Sequence, residues 1–198
     1  MRKSVFIMLL CIFSFSAGVV HGQQLDAAFG LSTIESPSAA SATGDHFPQK
    51  LGSGAFPVVT GDFVMKNHFG ASAEVSWRAS QALYQGVSPY RPIFYDFNGM
   101  YERQFGKRLG VEVMAGFGAE SIRFYQNFVN CSFTGCTNYS SSNHFMGDVG
   151  GGVRLYLLDS IFIRPEARFY MIHNNVEFSG SHAARLGISV GYTFGLKE

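Results

Sequence analysis

Apolar residues alternate with small or polar ones over the last regular stretch of the chain. Leu186, Ile188, Val190, Tyr192 and Phe194 share one parity, and Gly187, Ser189, Gly191 and Thr193 the other. A period of two is that of a β-strand with one apolar face. Similar strand-like segments cover 24–33, 55–66, 69–81, 92–105, 109–124, 144–157, 161–174 and 183–194. No window of comparable length carries the 3.6-residue apolar stripe of an amphipathic helix.

The connections alternate in length. Asn67-His68, Gly106-Lys107-Arg108 and Leu158-Asp159-Ser160 are of hairpin size. Ile34 to Gly54, Ala82 to Arg91, Tyr125 to Asn143 and Asn175 to His182 read as longer loops. The strand faces agree with one another. In 109–124, Leu109, Val111, Val113, Ala115, Phe117 and Ala119 oppose Glu112, Met114, Gly116, Gly118 and Glu120. In 144–157, Phe145, Val149, Val153, Leu155 and Leu157 oppose Asp148, Gly150, Gly152, Arg154 and Tyr156. In 161–174, Ile161, Ile163, Ala167, Phe169 and Met171 oppose Arg164, Glu166, Arg168 and Tyr170, and in 69–81 Ala71, Ala73, Val75 and Trp77 oppose Ser72, Glu74, Ser76 and Arg78. Mid-strand charges therefore gather on one face. A barrel in water would put the apolar face inside, whereas one in lipid inverts the arrangement. Two rows of aromatics at the strand ends fit two membrane interfaces. Tyr84, Tyr90, Phe124, Tyr125, Phe128 and Phe145 lie by the long loops, and Phe63, Phe69, Tyr101, Phe105, Phe162, Tyr192 and Phe194 by the short turns. Pro165 inside a strand predicts a bulge, and Arg103 on the apolar parity predicts a side chain reaching to an interface.

Composition agrees. Charged residues make up 15% of the chain against about 25% in soluble domains, and the 23 glycines exceed the usual share. The balance of 15 basic and 14 acidic residues gives no field for nucleic acid. At the N-terminus, Arg2 and Lys3 precede the apolar run Val5 to Phe15, with Val20 and Gly22 placed for cleavage. This predicts a signal peptide over 1–22 and a barrel domain over 23–198. It implies export.

Export signal, alternating strands, short and long connections and a closing strand ending on aromatics resemble the small outer-membrane barrel family typified by the OmpA transmembrane domain. The resemblance implies an all-β, eight-stranded antiparallel transmembrane up-and-down β-barrel. The resemblance places it in the outer membrane of a Gram-negative-type bacterium, with outer-membrane lipids as its surroundings and the short turns periplasmic. It further implies that Leu186, Ile188, Val190, Tyr192 and Phe194 form the signal read by barrel-assembly machinery. The family usually ends on the aromatic, whereas residues 195–198 follow here.

Cys131 and Cys136 form an even pair in an exported chain and predict a small disulfide-closed loop. A zinc site needs more ligands, and only His144 is close in sequence. No metal or cofactor is expected. Gly150-Gly151-Gly152 lacks the helix and the Lys-Ser/Thr pair of a phosphate loop. The stretch His173 to His182 holds His, Ser and Glu near a rim, residue types used by lipid-modifying barrels, without a spacing motif. The inward parity offers Glu74, Asp96, Glu102, Glu112, Glu120, Asp148 and Glu166 beside Arg78, Arg154, Arg164, Arg168 and Arg185. Opposite charges in a narrow eight-strand lumen should pair and close it to bulk flow. The reading is a non-enzymatic barrel that displays loops to an extracellular ligand in a structural or surface-interaction role. A narrow pore for small solutes and a lipid-modifying enzyme are the alternatives.

Overall fold

The computed structural model describes residues 24–36, 51, 54–132, 135–173 and 181–194. The expected signal segment 1–22, most of the first long connection, residues 174–180 within the His173–His182 stretch and the terminal 195–198 lie outside them. The described elements are β1 (Gln24–Glu35), β2 (Phe56–Val64), β3 (Phe69–Trp77), β4 (Ala82–Tyr84), β5 (Ser88–Phe105), β6 (Leu109–Ser132), β7 (Gly135–Tyr156), β8 (Ile161–Ile172) and β9 (His182–Phe194). Every pairing is antiparallel. β1 pairs with both β2 and β9, and β3 with both β2 and β5, so eight strands close a ring. The seam joins the first strand to the last, from Leu25↔Phe194 to Glu35↔Ala184. Closure removes the sheet edges whose unpaired backbone groups lipid cannot satisfy.

Alternation sets the two faces. Phe29, Leu31, Val75, Phe97, Val113, Phe117, Phe145, Leu186, Ile188 and Val190 are exposed, while Glu74, Asp96, Glu112, Arg154, Arg164 and Arg185 are buried. The wall is apolar outside and charged inside.

Two expected loops are strands. Ala82–Arg91 folds as β4 and the start of β5, joined by the Gln85-Gly86-Val87 turn, in which Gln85 and Gly86 take φ of 51° and 72°. β4 continues the line of β3 along β5 after a break at 78–81, where the Ala79 amide bonds to the Ala55 carbonyl. Tyr125–Asn143 is likewise a hairpin, in which β6 and β7 run on to Ser132 and Gly135 with one register shift between Tyr125 and Asn130. The apolar alternation that marks a strand stops where the apolar belt stops. Backbone pairing does not, because every N–H and C=O still needs a partner.

The bulge expected at Pro165 is absent. Pro165 stays opposite Ile188, and the β7–β8 ladder skips two pairs while keeping its register from Gly152↔Glu166 to Leu155↔Ile163. The gap coincides with the missing proline N–H. Tyr90 and Phe162 also depart from the expected aromatic rows, for both are buried inside the barrel. Phe162 lies over Gly191 so closely that a Cβ there would clash with its ring. Gly191→Val should therefore block closure of the β8–β9 pair and abolish the folded gel band, and adding Phe162→Ala should restore it. An unchanged folded band for Gly191→Val alone would refute this steric account.

Candidate functional site

The interior holds a chain of ion pairs in two tiers. Nearer the short turns, Arg154 is fully buried and uses each guanidinium nitrogen. Its Nε donates to Glu112 at 2.5 Å and its Nη2 to Asp62 at 2.7 Å. Its Nη1 meets Asp26 and lies 2.9 Å from Glu102. Phe162 stacks beneath the same guanidinium at 5.0 Å. Arg164 crosses the lumen to Asp62 at 2.7 Å and to the Thr60 hydroxyl at 2.9 Å, and lies 3.5 Å from Glu112.

Nearer the long connections, Arg168 donates to Glu74 at 2.8 Å and Asp96 at 2.9 Å, with Asp148 at 3.5 Å. Arg185 meets Glu74 and Glu166, and Glu166 lies 3.3 Å from Arg164, which links the tiers. Small residues make the room. A Cβ on Gly150 would meet Arg168 and one on Gly152 would meet Glu112. The twelve interior charges named from sequence do not form one set. Ten of them, Glu74, Asp96, Glu102, Glu112, Asp148, Arg154, Arg164, Glu166, Arg168 and Arg185, enter these pairs. Arg78 sits higher, half-buried, and donates to the Tyr90 hydroxyl at 3.4 Å. Glu120 is fully buried and faces His144 across β6 and β7 in register, while the Ser142 hydroxyl lies 3.0 Å from the His144 Nε2.

Sequence reasoning missed Asp26 and Asp62, both buried partners of Arg154. Their signal was parity: Asp26 alternates in step with Ala28, Gly30 and Ser32, and Asp62 with Thr60. It also missed an apolar layer inside the barrel toward the long connections. Ile34, Phe56, Phe94, Ile122, Met146, Tyr170 and Ile172 pack there, with Phe94 and Tyr170 stacked at 5.5 Å. These residues share the parity of the charges, so nothing local in the sequence separates them from a polar lumen.

Beyond the wall, the β6–β7 hairpin carries Cys131 opposite Cys136, with sulfurs 2.11 Å apart. The bridge ties two residues the ladder already pairs, at a site far from the ring. Cys131→Ser with Cys136→Ser should lower stability by about 2 kcal/mol at most. Reduction should accordingly leave the melting of the barrel nearly unmoved, and a large drop would show that the bridge holds the wall. In the rim stretch, His173, Ser181 and His182 are exposed, and His182 stacks on Phe169 at 5.7 Å.

No protein-family model and no curated protein matches the sequence. Solved structures do match. Neisserial surface protein A is similar at 11% identity and TM-score 0.60, over 87% of this chain and 97% of that one. The attachment invasion locus protein Ail of Yersinia pestis, solved in complex with the heparin analogue sucrose octasulfate, matches at 10% identity and TM-score 0.58, over 87% and 99%. The outer membrane protein OprG from Pseudomonas aeruginosa matches at 10% identity and TM-score 0.53, over 88% and 97%. The chain has the fold of the small eight-stranded outer-membrane β-barrels. At this level of identity the likeness is one of architecture, with an up-and-down ring in which β1 begins and β9 ends on the side of the short turns.

Proposed function

We propose that the protein is an integral outer-membrane barrel without enzymatic activity, whose filled wall carries hairpins to the cell exterior for contact with an extracellular ligand. One observation carries the reading: the face pattern is inverted, with an apolar exterior around a charged, ion-paired interior. Water has no use for such a wall, whereas lipid requires it. Residues 1–22 act as the export signal, and Leu186, Ile188, Val190, Tyr192 and Phe194, all exposed on β9, are the strand read by barrel-assembly machinery. Ail, whose structure was solved with a sulfated sugar analogue, supports the idea of a ligand met from outside.

An epitope placed at the 132–135 tip of the β6–β7 hairpin should be labelled by antibody on intact cells, and the membrane-extracted protein should migrate differently before and after boiling. Recovery as a soluble periplasmic monomer would overturn the reading. The enzyme alternative has its own check in the Ser142–His144 contact, because hydroxyl, imidazole and a nearby carboxylate are the parts of a nucleophilic hydrolase. A fluorophosphonate probe should leave Ser142 unlabelled in the folded protein. Stoichiometric labelling lost in His144→Ala would instead establish an active serine.

A further inference from the structure

We infer that Arg91 and Arg123, on the outer wall just beyond the apolar belt, bind the phosphate of an anionic lipid headgroup in the outer leaflet. This inference rests on the outer-membrane reading above. The two arginines face each other directly across β5 and β6, on the odd, outward parity. Like charges directly opposite on neighbouring strands repel. Inside the barrel, Arg154, Arg164, Arg168 and Arg185 each meet carboxylates, which offsets their burial. Outside, the outward positions of β5 from 91 to 105, β6 from 109 to 125 and β7 from 139 to 155 contain no Asp or Glu. Among the described residues the only hydrogen bond of Arg91 is from its Nη2 to the Ala79 carbonyl at 3.4 Å, and its Nε has no partner. Arg123 lies over the Tyr139 ring at 4.9 Å, and Tyr125 packs near Tyr139 at 6.1 Å.

The position sets the class of ligand. Directly toward the short turns on the same face come Tyr95, Phe97, Phe117 and Phe145, all exposed. Acyl chains lying along these side chains place their headgroup at the arginine pair. Two adjacent guanidinium forks match one phosphate, which would turn their repulsion into a shared charge-assisted contact. Exposed Ser141, opposite Arg123, adds a hydroxyl at the same level.

Detergent-purified protein would be titrated with bis-phosphorylated lipid A and followed by native mass spectrometry. Wild type should retain the lipid, and Arg91→Gln with Arg123→Gln should bind it about tenfold or more weakly, as expected for lost charged hydrogen bonds. Arg103→Gln, at the opposite end of the wall, should bind as wild type. Heat-modifiable migration of each variant reports folding separately, so a failed barrel is told from a failed site. Because Arg91 also holds the Ala79 carbonyl, the single Arg123→Gln variant provides a second test and should lose affinity while keeping the folded band. Equal binding by the double variant, or by fully dephosphorylated lipid A, would overturn the inference. So would binding of inorganic phosphate that displaces the lipid at similar concentration, or preference for a sulfated polysaccharide over the lipid.

Discussion

Arg154→Met should destabilise the folded barrel by about 3–5 kcal/mol, the range for breaking a buried ion pair from one side. Arg154 is the only cation among the described residues that pairs with Asp26 and Glu102, whereas Asp62 and Glu112 also have Arg164. Its loss leaves Asp26 with the Gln24 amide at 2.7 Å, and Glu102 with the Gln104 amide at 3.4 Å and the Tyr156 hydroxyl at 3.5 Å. Methionine keeps much of the bulk over Phe162, so the loss reports charge rather than a cavity. Urea unfolding in lipid vesicles gives the number. Adding Asp26→Asn and Glu102→Gln to the same variant should recover most of the loss, because the stranded charges are then gone. Arg103→Ala is the comparison: this exposed arginine contacts the Phe105 ring at 5.6 Å and should cost under about 1 kcal/mol. If Arg154→Met were as mild as Arg103→Ala, the paired interior would not be what holds the wall.

The second large effect concerns conduction. Purified wild type should be silent in planar bilayers, because three barriers stand in series within a ring just wide enough for side chains to fill. Two are the ion-paired tiers, one around Glu74, Asp96, Arg168 and Arg185 and one around Arg154 and Arg164, and the third is the apolar layer of Phe56, Phe94, Ile122, Met146 and Tyr170. Phe94→Ala with Tyr170→Ala removes much of the apolar layer and should remain silent, since the charged tiers still span the lumen. Adding Arg168→Ala and Arg154→Ala deprives Asp96, Asp148, Asp26 and Glu102 of their guanidinium groups, breaks both tiers, and should produce cation-selective openings. Steady openings in the wild type would end the filled-wall account and favour the pore.

The sequence by itself determined which face of each strand meets lipid. At Leu186 to Phe194 and at Leu109 to Ala119, the period of two and the chemistry of the surroundings leave one arrangement that buries no charge in hydrocarbon. It likewise determined the short turns, where Gly106 with φ of 72° closes the β5–β6 connection. Beyond the belt the same period is written in Ser, Asn and Tyr, so the pairing of Tyr125 with Tyr139 became visible only once the strands were in register. Tertiary structure alone decided the partners inside. Arg154 and Asp26 are 128 residues apart, and Arg164 and Thr60 are 104 apart. Such pairs are set by the stagger with which the ring closes, a property of all eight strands together. The same closure sorted one inward parity into charged tiers and an apolar layer, because a side chain's height in the lumen depends on its neighbours' register and not on its own alternation.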